Sequence, residues 1–307
     1  MRCRDDAGFR GAGRFLGVKL AAFVLSFQIV TGIASATPVY TLSSGNSSVG
    51  IDLGSQAGMY NWTVDGQNQL NQQWFWYRVG SSGPEASIDT IGTPTVNLIS
   101  PSILDTTYFA SLFSVDVLYS LVGVALGSGA SDLSETIKIQ NLTSGSLSFH
   151  FFQYADFNLG GTPNNDSGQL DKTSKGYNEV DQTDGSCHLG ESVDTVVSHA
   201  ATHAEVASDN SILTMLNNGT ASAFNGNMYT AGNVKWGLEW DVNIAAGGTY
   251  LISKDLNVSG VVPVTVPEPS AWSFVLLGLF AGGMWKVRSV RRVGWKRFSV
   301  CRSAGVV

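Results

Sequence analysis

Apolar residues recur at every second position over much of this chain. Trp236, Leu238, Trp240, Val242 and Ile244 alternate with Gly237, Glu239, Asp241 and Asn243. This is the period of a half-buried strand, not of a helix. Ala245-Ala246-Gly247-Gly248 then turns the chain, and Tyr250, Ile252, Leu256 and Val258 continue on one face of a returning strand. Together they predict a hairpin. Leu133, Glu135, Ile137 and Ile139 precede a turn over 141–146, after which Leu147, Phe149 and Phe151 resume on a strand apolar on both faces around Phe152. Such two-sided apolarity suits a central strand covered above and below. Tyr60, Trp62 and Val64 before Asp65-Gly66, the run Trp74 to Val79 before Gly80, and Val115, Val117, Tyr119 and Leu121 add three more. The count comes to about ten short strands with Gly, Asn and Ser turns, so the expected fold is all-β, an antiparallel β-sandwich that in its large form is a supersandwich. Only Ser192 to Met215, rich in Ala and His, reads as helical.

Cysteine and charge narrow the class. Of three cysteines, Cys3 and Cys301 lie near the two ends, leaving Cys187 alone between. The body therefore has no internal disulfide and relies on core burial, for which about 230 residues suffice. Residues 37–267 hold six basic residues, Arg78, Lys138, Lys172, Lys175, Lys235 and Lys254, against 21 acidic ones. Scattered lysines on so acidic a body form no basic patch, which argues against nucleic acid as a partner.

Both ends read as addresses. A basic region ending at Lys19 precedes an apolar run from Leu20 to Ile33 and then Ala34-Ser35-Ala36. Small residues at Ala34 and Ala36 predict a signal peptide over 1–36, cleaved after Ala36. At the other end Ala271 to Trp285 carries no charge, is bracketed by Trp272 and Trp285, and is followed by Lys286, Arg288, Arg291 and Arg292. Those features predict a transmembrane helix over 271–287 with its basic flank in the cytoplasm. Pro267-Glu268-Pro269 stands directly before it.

A Pro-Glu-Pro tripeptide, an apolar helix and a basic cluster, in that order, resemble the PEP-CTERM sorting signal. The resemblance makes Pro267, Glu268 and Pro269 the sorting motif and Lys286, Arg288, Arg291 and Arg292 the basic stop. It implies an exosortase and the export machinery as partners and the inner membrane as a way station. It further implies the cell surface or extracellular matrix of a Gram-negative bacterium as destination, with exopolysaccharide as a further partner. The segments Gln73-Trp74-Phe75-Trp76-Tyr77-Arg78, Phe149 to Phe157, and Trp240-Asp241 with Gly247-Gly248-Thr249 resemble a group of uncharacterised proteins of that class. The expected organisation is signal peptide 1–36, β-sandwich 37–262, sorting region 263–292 and basic tail 293–307. Large sugar-processing supersandwiches share the general look of long amphipathic strands, an analogy at fold level only.

Four constellations bear on chemistry. His199 and His203 stand four apart, so on a helix they would share a face, with Cys187 and His188 as further zinc ligands. A solvated face is the plainer account, and no metal or cofactor is expected. Asp156, Asn158, Asn164, Asn165, Asp166 and Asp171 crowd one long loop, offering oxygen ligands for calcium or simply forming turns. Glu239 and Asp241 point to the same strand face, as glycoside hydrolysis requires of two carboxylates about 5 to 10 Å apart, and as ordinary surface carboxylates also do. Trp62, Trp74, Trp76, Trp236 and Trp240, with Tyr60 and Tyr77, either stack on sugar rings or fill the core, and their place on the apolar side of their strands favours the core. No Gly-x-Ser-x-Gly elbow, Walker loop or dinucleotide fingerprint occurs. The expected function is an exported, non-enzymatic surface protein; the alternative is a polysaccharide-binding or polysaccharide-active enzyme using Glu239 and Asp241.

Overall fold

The computed structural model describes residues 39–193 and 199–263. β1 (Val39–Ser44), β2 (Ser47–Asp52), β3 (Gly58–Val64), β4 (Gln67–Asn68), β5 (Leu70–Val79) and β6 (Ala86–Ser87) belong to a first sheet. β7 (Thr95–Ser100), β8 (Ile103–Phe109), β9 (Phe113–Gly123) and β10 (Ser131–Asn141) begin a second. From there the chain alternates. β11 (Leu147–Phe157) returns to the first sheet, and β12 (Asp166–Thr173), β13 (Gly176–Asp184) and β14 (Cys187–Ser192) go to the second. β15 (His203–Ala207) joins the first and β16 (Tyr229–Gly232) the second. β17 (Lys235–Ile244) and β18 (Thr249–Ser259) again take one each. The first sheet runs β1-β2-β3-β5-β11-β17-β15, with β4 on β3 and β6 on β5; the second runs β16-β12-β13-β14-β18-β10-β9-β8-β7. Pairing is antiparallel except at the short β3–β5 contact.

The all-β expectation holds, but the firmest expected hairpin does not exist. β17 pairs with β11 and β15, whereas β18 pairs with β10 and β14 in the opposite sheet. Residues 245–248 are thus an arch from one sheet to the other, a gap of about 10 Å. Alternation reports which face is apolar and is the same for a strand that folds back and one that crosses over. The neighbouring connection from β10 to β11 is a second arch, and Asn141 ties the two together. Its Nδ2 donates to the carbonyls of Gly145, Ile244 and Ala245 at 2.8, 2.9 and 3.0 Å. Among the described residues of the stretch expected to be helical, β15 is an edge strand, and helix is confined to α1 (Ser211–Leu216) at its end.

Between the sheets Phe75 stacks on Phe151 at 5.4 Å, Tyr77 on Phe149 at 6.1 Å, and Phe157 on Trp236 at 5.2 Å. Trp62, Trp74, Trp76, Trp236 and Trp240 are all fully buried, so they serve packing and not an exposed stacking face. Four of their indole N–H groups find acceptors: Ser47, Ser87, Glu191 and the His199 carbonyl. This core also encloses a charged group. Lys254, wholly buried, contacts Glu135 and Glu191, which are equally buried, and donates to Gln153. Gln73 and Gln153 donate to the two carboxylates from the first sheet, and Trp236 donates to Glu191 at 2.7 Å. The two sheets are therefore linked by polar groups as well as by apolar contact.

Cys187 is a buried free thiol whose Sγ lies 3.5 Å from Gln69 Oε1. Burial pushes its thiol up, which keeps it protonated and unreactive. The melting midpoint should be the same with and without reductant, and alkylation of Cys187 should wait for unfolding. A reductant-sensitive midpoint would show a cross-link that this arrangement does not contain.

Among the described residues no helix is long and apolar enough to cross a membrane. The expected signal peptide with Ala34 and Ala36, the sorting motif Pro267, Glu268 and Pro269, the helix over 271–287, and the basic residues Lys286, Arg288, Arg291 and Arg292 lie outside the described residues.

Candidate functional site

The outer face of the first sheet carries the chemistry. Antiparallel register sets His150 of β11 opposite Arg78 of β5 on one side and Asp241 of β17 on the other. One step along, Phe152 lies between Trp76 and Glu239, and Glu239 lies opposite His203 of β15. Because side chains alternate in direction, residues two apart share a face. The seven residues thus form two adjacent rows.

Asp241 is the hub. His150 Nδ1 hydrogen-bonds to its Oδ1, and His203 Nε2 lies 3.3 Å from its Oδ2. With Asp241 as the acceptor of this bond, His150 carries its proton on Nδ1 and keeps a lone pair on Nε2. That Nε2 is buried and has no hydrogen-bond partner among the described residues. Glu239 differs sharply from Asp241 in environment. It is 1% exposed, and its Oε2 accepts the backbone N–H of Phe224 at 3.1 Å. Burial, reinforced by the neighbouring Asp241 charge against the opposing Phe224 N–H and Arg78, raises its carboxyl to about 8. At neutral pH burial therefore favours the protonated form of Glu239. Two carboxyls on one strand face are split into donor and acceptor by their surroundings.

The wider rim is also charged. Arg78 forms a buried ion pair with Glu85, sits over the Phe152 ring at 5.5 Å, and donates to the Ser222 carbonyl at 3.0 Å. The segment that follows α1 crosses this face, and the Phe224 ring meets Phe152 edge-on at 5.9 Å. Room for it comes from Gly237, where a Cβ would fall 2.5 Å from the Phe224 ring.

The carboxylates were visible in the sequence as a pair, but as surface groups; the structure corrects this, since Glu239 is covered. Donor atoms of His150, Glu239 and Asp241 lie within 4.8 Å of one another. That is too close to seat the water that an inverting glycosidase holds between carboxyls about 6.5 to 9.5 Å apart. Within the group His150 Nδ1 and Asp241 Oδ1 already share a hydrogen bond.

The other expected constellations do not assemble. His199 precedes β15 in extended chain, with Nδ1 at 2.7 Å from the Leu251 carbonyl, while His203 faces Asp241, so no helix aligns the two. His188 pairs with Asp181 at 3.0 Å on the second sheet, and Cys187 is buried. In the Asp/Asn-rich loop, Asp156 turns to Asn71 and Lys235, and Asp166 to Gln182. Burial raises Asp166 to about 7, which makes it a poor calcium ligand. Asp171 instead joins Glu179 and Asp181, an exposed acidic group. Asn165 adopts φ of 77°, the left-handed conformation of a turn former.

Neither a protein-family model nor a curated protein matches this chain. Solved structures do. A bacterial glucoamylase in complex with acarbose aligns with a TM-score of 0.53 at 11% identity, over 74% of this chain and 32% of the glucoamylase. A galactose mutarotase related enzyme from Lactobacillus acidophilus aligns at 0.47 and 8% identity, over 73% and 98%. An aldose epimerase homologue from C. elegans aligns at 0.44 and 8%, over 74% and 100%. Only the first exceeds one half, and at such identity it shows the fold alone. This chain spans about a third of the glucoamylase it matches. The expectation of a non-enzymatic body is overturned in this respect: the fold is shared with an enzyme, the bacterial glucoamylase.

Proposed function

We propose that this is a carbohydrate-active protein that moves protons at a sugar on the outer face of its first sheet. The observation that carries the reading is the split pair: Glu239, held protonated, and Asp241, holding His150 with Nε2 free to accept a proton. An acid and a base side by side can protonate one oxygen of a sugar while deprotonating another, the requirement for opening a ring or exchanging anomers. Arg78 and Glu85 supply further polar groups beside them. The substrate class is a free sugar or the reducing end of a polysaccharide.

Incubating the purified full-length chain with reducing hexoses and oligosaccharides, and following anomer exchange by NMR together with release of new reducing ends, tests this. The wild-type chain should accelerate one of these reactions and Asp241→Asn should lose most of that acceleration, by roughly 10² to 10⁴. Equal rates for wild type and variant would discard Asp241 as a participant.

The end signals supply the location of that activity. Their residues support an exported protein, sorted through Pro267-Glu268-Pro269 to the cell surface. With those three residues changed to alanine, the chain should stay in the inner-membrane fraction while the unchanged chain reaches the surface. Identical fractionation of the two would remove the sorting motif from the account.

A further inference from the structure

A general acid has to touch its substrate, yet Glu239 is 1% exposed, while the side chains of Asp241 and His203 beside it are 31% and 43% exposed. Half of the site is open and half is covered. The cover is one short piece of backbone. Ser222 N–H donates to Glu85 Oε1 at 2.8 Å, Phe224 N–H to Glu239 Oε2 at 3.1 Å, and Asn225 N–H to Glu205 Oε2 at 3.2 Å. Three carboxyls of the outer face are thus engaged by main-chain donors of three residues within the four-residue segment 222–225.

Glu85, Glu205 and Glu239 are each less than a tenth exposed, which is unusual for glutamate and is sustained here by the contacts that the segment provides. The segment nevertheless leaves the face incompletely satisfied. Trp76 Nε1, Arg78 Nε and Glu85 Oε2 are buried with no hydrogen-bond partner among the described residues. Two donors and an acceptor without partners, next to an aromatic ring, are what neutral sugar hydroxyls satisfy.

We propose that Ser222–Asn225 is a built-in occupant of the sugar site, the Phe224 ring standing in for a pyranose ring and the Phe224 N–H for a hydroxyl, so that a sugar binds by displacing it. This rests on the carbohydrate reading above and adds to it the place of the sugar and the contact that regulates entry. A phenyl ring and a pyranose are both six-membered and similar in breadth. Gly237 leaves the space for either, and Phe152 offers an aromatic wall to either. Once displaced, the segment hands Glu239 and Glu85 to the ligand. The sequence signal is faint: one glycine among larger residues on β17.

The closed form lowers the population able to bind, so weakening it should raise apparent affinity in proportion. Sugar affinity of the full-length protein is measured by calorimetry with glucose, galactose and maltose, and amide exchange of Ser222–Asn225 is followed with and without each sugar. Phe224→Ala should tighten binding on the order of tenfold. Glu205→Gln, which weakens the anchor at Asn225 without touching the ring, should shift it in the same direction. Sugar should speed exchange at Ser222–Asn225 while β11 and β17 stay slow, which also shows that each variant is folded. Sugar binding that leaves these amides slow, or that both variants leave unchanged, overturns the occupant and spares the carbohydrate reading. If none of the sugars binds wild type or either variant while β11 and β17 remain protected, both are overturned.

Discussion

Replacing Lys254 with alanine is expected to destabilise the fold by about 3 to 5 kcal/mol, the loss that follows when one partner of a buried ion pair is removed. Lys254, Glu135 and Glu191 are all inaccessible to solvent, and the lysine is the shared cation of the two carboxylates. Burial alone already raises the Glu135 carboxyl, with Lys254 opposing that rise. Without the lysine nothing cationic opposes the burial of Glu135, and the folded state must hold its carboxyl protonated. Its folded value then stands further above the unfolded one, so stability is retained below the ordinary carboxylate range of about 4.3 and lost as pH rises through the folded value. The alanine variant should therefore be closest to wild type near pH 4 and furthest from it above neutrality, as read by urea unfolding at each pH. A triple change of Lys254→Met, Glu135→Gln and Glu191→Gln should recover much of the loss, because desolvated charge and not missing volume is the main cost. A Lys254→Ala variant with wild-type unfolding at every pH would show that the charge is solvated by a route absent from this structure.

Glu239→Gln should have the second large effect and should show it in two separate measurements. As the proton donor of the proposed reaction, its loss should lower the rate by roughly 10² to 10⁴. Independently of any sugar, the pH dependence of stability should change. The folded carboxyl titrates at about 8 against an ordinary 4.5, through burial first and the Asp241 charge second, opposed by the Phe224 N–H and Arg78. Between those values the folded chain keeps a proton that the unfolded chain has released. Stability from this group is hence full below about pH 4.3, falls as pH rises, and is gone once the folded value is passed. Glutamine cannot ionise, so the melting midpoint of Glu239→Gln should fall less than that of wild type between about pH 5 and pH 8. An unchanged slope would place Glu239 among ordinary carboxylates, whatever the kinetics show.

His150 illustrates why the site was only half legible in the sequence. Glu239 and Asp241 are two apart on one strand, so alternation alone puts them on one face. His150 stands 91 residues from Asp241, and nothing local says that β11 pairs with β17 in that register. Arg78 enters from β5 by the same long-range register. The missed functional residues are those supplied by pairing across the sheet.

The sequence by itself determined the all-β class, the apolar face of the strands with clean alternation and the placement of Glu239 with Asp241. These follow from period, composition and spacing, which are properties of neighbouring residues. The tertiary structure alone decided that Ala245 to Gly248 forms an arch and not a hairpin, that Glu239 is covered while Asp241 stays partly open, and that burial raises the Glu239 carboxyl. The physical reason is shared: strand partner, burial and local charge depend on segments brought together from distant parts of the chain. For Glu239 the decisive cause is burial under the segment that carries Phe224, reinforced by the Asp241 charge and opposed by the Phe224 N–H, and it turns a carboxylate that would be ionised on an open strand into a buried acid.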